Sequence, residues 1–320
     1  MPKVAIAPML DWTDRHYRYF MRKITANTIL YTEMIVADAI IHGNQNNLLE
    51  HNVIEHPLII QLGGSNPDKL VTASQICEQY GYTGINLNVG CPSDRVKSGK
   101  FGACLMNDAH LVGKCLIKMQ KSVSIPVSIK QRIGLGYNED YNFLKEFVQT
   151  IQEYGITQFI IHARNAILGT LTPKQNREIP PLRYDYVYQL KTDFPHLNIM
   201  INGGIKTIDE IKTHLQYVDG VMIGREAYYN PYLFNKIEQF IIKSQTTYTN
   251  RLEIAHSMID YLLQAQERHI PLHHITRHMI GLYHGCNKAK IWRYQLTNEM
   301  IRTNSMDTYY KLLKFMEDSD

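Results

Sequence analysis

Eight short apolar runs, rich in β-branched residues, alternate with amphipathic stretches through the first 225 residues. They fall at 4–9, 29–35, 57–63, 84–90, 127–133, 158–164, 198–205 and 220–225. Most are nearly continuous in apolar character, as expected of parallel strands buried beneath helices. Helix-start signals follow several of them. Asn66-Pro67-Asp68 offers a cap, a proline at the first helical position and an acid in the first turn. Thr207-Ile208-Asp209-Glu210 reads as a capping box, and Asn107-Asp108 and Asn138-Glu139-Asp140 do similar duty. Gly81 and Gly155 stand where helices should stop. The pattern predicts an α/β fold, a (β/α)8 TIM barrel, with an open doubly wound sheet as the structural alternative.

After about residue 240 the pattern changes. No convincing strand follows Asn250, and helices are predicted over 252–266, 273–283, 288–301 and 307–316. The polar stretch Ser244 to Asn250 is the expected joint. The predicted division is therefore a catalytic barrel over 1–243 and a small all-helical domain over 244–320. A chain of 320 residues suits such a pair.

Bulk properties narrow the function. A hydrophobic fraction of 44% and a charged fraction of 20% are those of an ordinary globular protein. A net charge of +4 permits a nucleic-acid partner without demanding one. The five cysteines are scattered, without metal-type spacing, and read as reduced thiols in a cytoplasmic protein. No signal peptide and no membrane-length apolar run is visible, and no stable protein partner is implied. His274 and His278 lie one helical turn apart, but no third ligand completes a set, so no metal is expected.

In a barrel the active site lies at the C-terminal ends of the strands. There the runs are broken by Pro8-Met9, Glu33, Gln61, Asn86 and Asn88, Lys130 and Arg132, His162 and Arg164, Asn202, and Arg225. Any one of these could be a satisfied rim group; their recurrence points to a site. The seventh run leads into Asn202-Gly203-Gly204 and the eighth into Gly224-Arg225. Loops at those places form the usual phosphate site of the fold, where glycines let backbone N–H groups approach an anion. The competing reading is two tight turns and a surface arginine. No G-x-G-x-x-G follows the first run, so a mononucleotide such as FMN fits better than a dinucleotide. Lys130 would stabilise negative charge on a reduced flavin, with Gln61 and His162 adding hydrogen bonds. Its alternative is a salt bridge, for example to Glu33.

The fourth run ends Asn88-Val89-Gly90-Cys91-Pro92-Ser93, and a long loop containing Cys104 follows. Glycine and proline beside Cys91 mark a strained or mobile turn. A thiol there can donate a proton, or attack as thiolate if Arg95 or Lys97 lowers its pKa. Cys77 and Cys115 lie on helices and read as buried small hydrophobes.

These blocks together resemble the tRNA-dihydrouridine synthases over nearly the full length. The matching segments are Ala7-Pro8-Met9, Thr32-Glu33-Met34, Gln61-Leu62-Gly63-Gly64, Asn86 to Pro92, Lys130-Gln131-Arg132-Ile133-Gly134, Ile161-His162-Ala163-Arg164, Asn202-Gly203-Gly204 and Ile223-Gly224-Arg225. Met9 to His16, the stretch from Ser93-Asp94-Arg95-Val96 onward, and Thr172-Pro173-Lys174 through Asn176-Arg177 to Tyr184 look like the A-type subgroup. The resemblance implies an FMN barrel that reduces the C5–C6 double bond of D-loop uridines 20 and 20a in tRNA, with NADPH as a transient reductant. It implies Cys91 as the proton donor to C5. It assigns FMN contacts to Pro8, Met9, Gln61, Lys130, His162, Asn202, Gly203, Gly204, Gly224 and Arg225. Asn88 would hold the base or the loop, and Arg164 would meet substrate. Lys174 and Arg177 are substrate contacts or solvated loop charges.

The tail adds its own signal. From Arg268 to Arg293 there are five Lys or Arg, five His and no acid, with Tyr283 and Trp292 interleaved. That suits phosphate contact and stacking by Lys288, Lys290 and Arg293, or else one solvated face of a helical bundle. Two rivals remain: a flavoenzyme of a free pyrimidine, similar to dihydroorotate dehydrogenase, and a non-catalytic RNA-binding barrel.

Overall fold

The computed structural model describes residues 3–93, 99–137, 140–245 and 247–318. Eight strands form one parallel sheet: β1 (Lys3–Ile6), β2 (Leu30–Val36), β3 (Leu58–Gly63), β4 (Gly84–Val89), β5 (Val127–Arg132), β6 (Gln158–His162), β7 (Asn198–Asn202) and β8 (Gly220–Ile223). Their order is β1-β8-β7-β6-β5-β4-β3-β2. The ring closes where Ala5 bridges Ile29. There the Ile29 N–H donates to the Val4 carbonyl at 3.0 Å, and the Ile6 N–H donates to the Ile29 carbonyl at 2.9 Å. The predicted (β/α)8 barrel is therefore the fold, and the open-sheet alternative falls.

The strand period of two sorts the interior. Ala5, Ala7, Tyr31, Ile160, Met200 and Met222, with Ile29 and Ile59, form an apolar cluster. Two residues further along the same strands the side chains turn polar: Gln61 after Ile59, His162 after Ile160, Asn202 after Met200. The apolar floor is the packed base on which a polar mouth stands.

The helix starts follow the cap chemistry. Asn66 accepts the N–H groups of Asp68 and Lys69, with Pro67 opening the helix Pro67–Gln79. Thr207 and Glu210 form the capping box. Asp108 and Asp140 cap the next two helix starts considered, while Asn138 and Glu139 lie outside the described residues. Gly81 and Gly155 take φ of 89° and 86°, the left-handed stop expected of them.

By contacts the chain forms two compact units. One comprises residues 1–10, 29–51 and 56–224; the other 11–28, 52–55 and 225–320. Within the second, the helix Arg15–Ile24 is held through Asp14, which accepts from His16 and Tyr17 N–H at its start. Asp14 also takes Arg277 at 2.8 Å and His278 at 3.0 Å. Arg18 pairs with buried Glu55 at 2.7 Å, and fully buried Trp292 donates to the Met279 carbonyl at 2.9 Å.

The predicted tail helices are more broken than their periodicity suggests. The first is split into Arg251–His256 and Ile259–Glu267 at Ser257, whose hydroxyl bonds back to the Ile254 carbonyl. The second shortens to His273–Thr276 and a 3₁₀ turn, Ile280–Tyr283. A Cβ at Gly281 would come within 2.7 Å of the Tyr228 and Tyr229 carbonyls, so close backbone approach decides the geometry there. The third runs Ala289–Tyr294, a wide π turn Gln295–Glu299, then Met300–Thr303. The last, Met306–Glu317, keeps to expectation. No helix is long and apolar enough to cross a membrane among the described residues.

Candidate active site

The site grows out of the polar upper layer of the barrel. At the end of β4, Asn88 accepts the N–H groups of Gly90 at 3.1 Å and Cys91 at 3.0 Å. Arg132, at the end of β5, donates from Nε to the Gly90 carbonyl at 3.1 Å. The Cys91 carbonyl takes the Ala103 N–H at 2.9 Å. The turn carrying the thiol is thus held from three sides. The half-buried Cys91 Sγ faces the Ser93 hydroxyl at 3.5 Å. Arg95 and Lys97, considered as its electrostatic neighbours, lie outside the described residues. The other thiols differ in setting. Cys77 and Cys115 are buried, and burial pushes both up to about 12. Cys104 points Sγ to the Phe101 carbonyl at 3.0 Å.

Lys130 Nζ donates to Asn202 Oδ1 at 3.2 Å, and Asn202 Nδ2 donates to the Met222 carbonyl at 2.8 Å. This ties β5, β7 and β8 together beneath the two glycine loops. Lys130 is lowered to about 8, by burial first and then by Arg132, with Cys91 opposing the change. Arg132 falls to about 10 through burial, again with Cys91 opposing. Burial holds His162 well below its ordinary value, helped by Arg132, Lys130, Arg164 and Arg177. His162 is therefore a neutral hydrogen-bonding group in a positive field.

Of the two glycine loops, the one at Gly224 leaves room for a ligand, whereas the one at Gly203-Gly204 is packed against protein. Gly203 and Gly204 take φ of 124° and 71°. A Cβ at Gly203 would strike His162 at 2.9 Å, and one at Gly204 would strike Leu182 at 2.7 Å. Tyr184 fixes this turn by donating to the Gly203 carbonyl at 2.6 Å. At Gly224 a Cβ would meet nothing nearer than 4.0 Å, so the space over it is open. Pro8 and Met9 follow β1 and are half-buried; the Ala7 N–H before them donates to the Ile223 carbonyl at 2.8 Å. Arg225 begins the helix Arg225–Tyr229. The residues present fit a phosphate-bearing group in chemistry and in space.

The loop after β6 is built around residues whose roles sequence reasoning left open. Asn176 is fully buried and closes the loop on itself. Its side chain takes the Ile167 N–H at 2.8 Å and donates to the Ile167 and Leu171 carbonyls at 2.9 Å each. Arg132 grips this loop through the Asn165 and Asn176 carbonyls, both at 2.8 Å. One guanidinium therefore joins the cysteine turn to the loop that presents exposed Lys174 and Arg177. The hint was present: Arg132 shares the face of Lys130 two residues on. Arg164 donates to the Pro180 and Glu178 carbonyls and supports the same loop. In the tail, Lys290 and Arg293 are exposed, while Lys288 donates to the Met316 carbonyl at 2.8 Å.

Comparison with known proteins agrees with this geometry. The dihydrouridine synthase (Dus) family model matches residues 5–315. A tRNA-dihydrouridine(20/20a) synthase of Shewanella oneidensis is 52% identical over 92% of this chain and 87% of its own. The Pasteurella multocida protein of that name is 49% identical over 98% and 96%, and that of Escherichia coli strain K12 is 50% identical over 92% and 86%. Among solved structures, a 2-naphthoyl-CoA reductase complex superimposes with a TM-score of 0.51 at 12% identity, over 74% of this chain. This chain spans half of that protein's length, and the likeness carries the fold alone. Matched by that family model over nearly its whole length, and by such relatives over more than nine-tenths of it, this chain belongs to the dihydrouridine synthase family of oxidoreductases.

Proposed function

We propose that this protein reduces the C5–C6 double bond of uridines 20 and 20a in the D-loop of tRNA, with FMN as cofactor and NADPH as the electron source, in the cytoplasm. What supports this above all is the pairing, in one barrel mouth, of a positioned thiol with a cradle of cations and glycines. The relatives' shared name supplies the positions. When bound, FMN supplies the two-electron reduction at C6 of the uracil.

The remaining steps belong to side chains. Gly203, Gly204, Gly224 and Arg225 would hold the cofactor's phosphate. Lys130, fixed by Asn202, would sit against the electron-rich edge of its ring, and Gln61, His162, Pro8 and Met9 would bound the ring. A uridine inside folded tRNA must leave its stack to reach the barrel. Cys91 then gives its thiol proton to C5, which completes the addition of two hydrogens. Ser93 stands within reach to take part in returning the proton. Asn88 would position both turn and base. Lys174, Arg177, Lys290 and Arg293 are exposed and suited to backbone phosphates, with Lys288 and Arg164 as supports.

The test is a tRNA-dependent oxidation of NADPH by purified holoprotein. Wild type should be yellow and turn over unmodified tRNA. Cys91→Ala should stay folded and yellow yet lose activity by roughly 100-fold or more. An active Cys91→Ala with an inactive Cys104→Ala would move the acid to the other thiol.

A further inference from the structure

Inside the barrel, a line of side-chain amides runs from its wall to the cysteine turn. Asn88 Nδ2 donates to Gln61 Oε1 at 2.8 Å, Gln61 Nε2 to Asn86 Oδ1 at 2.8 Å, and Asn86 Nδ2 to Ser128 Oγ at 2.9 Å. Ser128 Oγ donates to the Ile85 carbonyl at 3.3 Å. The strand register makes this possible: Gln61 pairs with Asn86 between β3 and β4, and Asn86 with Ser128 between β4 and β5. All four side chains are at least nine-tenths buried.

The two ends of the line have fixed polarity. At one end the Gly90 and Cys91 N–H groups can only donate, so the group of Asn88 that meets them must be its oxygen. At the other end the Ile85 carbonyl can only accept. Between these ends one orientation of the three amides satisfies every bond. Turning Asn88 or Gln61 over sets donor against donor and oxygen against oxygen at its neighbours, and turning Asn86 over sets its nitrogen against that of Gln61. In a buried site such a mismatch leaves unpaired polar groups, each costing about 1–3 kcal/mol.

We propose that Asn86 and Ser128 are positioning residues for the reaction: they fix Gln61 as the acceptor that holds Asn88 in place against the Cys91 turn, and so hold the thiol where it meets C5. This rests on Cys91 being the proton donor. Without Asn86, Gln61 loses the partner that fixes its orientation and can turn its nitrogen towards Asn88; Asn88, whose oxygen must meet the two N–H groups, then has no acceptor for its own nitrogen and is no longer held in place. Ser128 acts one step earlier, as the acceptor that orients Asn86.

The test separates the two half-reactions of the FMN-loaded enzyme without oxygen. Bleaching of the flavin by NADPH does not involve the thiol; its recovery on adding saturating unmodified tRNA does. Asn86→Leu should slow recovery roughly 100-fold, as a misplaced reacting group does, and Ser128→Ala about tenfold, while bleaching stays within about twofold. Ser128→Thr, which keeps the hydroxyl, should restore recovery. Ser128→Ala removes only one oxygen atom and serves if Asn86→Leu fails to fold. Recovery at the wild-type rate in Ser128→Ala, or equal slowing of both half-reactions, overturns the proposal. Cys91→Ala run beside them separates the two readings. If it recovers at full rate, the assignment of the thiol falls. If it is slow while both positioning variants are fast, only the positioning proposal falls.

Discussion

Single residues carry two contrasts that can be measured. Gly204 has a left-handed backbone and no room for a Cβ, whereas Gly224 has open space above it. Gly204→Ala should therefore destabilise the fold by about 1–3 kcal/mol. Gly224→Ala should melt like wild type yet bind FMN at least roughly tenfold more weakly, because the ligand and not the protein requires that glycine. A full-affinity Gly224→Ala, by fluorescence titration of apoprotein, would remove the phosphate from that loop. Lys130 gives the second contrast. In the unliganded protein it sits at about 8, lowered first by burial. Below that pH the cation is already present; above it, an anionic ligand must recruit a proton. FMN affinity should be flat up to about pH 7.5 and weaken by up to about tenfold per pH unit above 8. Lys130→Met should bind more weakly with no such slope, and a sloping Lys130→Met would place the titration elsewhere. These residues were legible because they interrupt apolar strands. The partners of Arg132 and the buried loop core at Asn176 were not, since they depend on how a long loop folds back.

At the scale of elements, the strands and their capped helix starts are written locally and survive intact. Asn66, Thr207, Gly81 and Gly155 act through their own chemistry, whatever surrounds them. The tail was less legible. Its breaks at Ser257 and around Gly281 arise from a side chain bonding back to the helix and from a close backbone approach, neither of which periodicity records. Nor does periodicity say that the helix Arg15–Ile24 groups with residues 225–320. That helix carries a pH-sensitive joint. His16 is almost fully buried, with Nδ1 2.8 Å from the Tyr261 hydroxyl. Burial lowers it to about 4, with Asp14 opposing. An unfolded histidine titrates near 6.5, so below that pH the unfolded chain binds the extra proton and stability falls towards pH 4. Between about pH 6.5 and pH 5 this one residue should account for roughly 2 kcal/mol. Asp14 acts in the other range: burial raises it, but His278, the Tyr17 N–H and Arg277 hold it far below ordinary carboxylates, so its contribution is lost only in stronger acid. Urea unfolding should show His16→Gln losing less stability than wild type between about pH 7 and pH 5. Equal losses would assign the acid sensitivity to other histidines.

For the molecule as a whole, the barrel unites three things that were separate in the sequence: an apolar floor, a cationic glycine-lined cradle, and a turn that holds one thiol. The fold class could be read from eight alternations, and the family from blocks spread over nearly the whole chain. The contacts to tRNA were the least legible part, because exposed lysines and arginines look alike whether they meet phosphate or water. The central claim is that this chain installs dihydrouridine at two adjacent D-loop positions through Cys91. The most direct measurement maps dihydrouridine, position by position, in tRNA from cells lacking the gene and from the same cells given back wild type or Cys91→Ala. The account predicts that dihydrouridine at 20 and 20a disappears, returns with wild type, and does not return with Cys91→Ala. Unchanged dihydrouridine at both positions without the gene, or full restoration by Cys91→Ala, would contradict it.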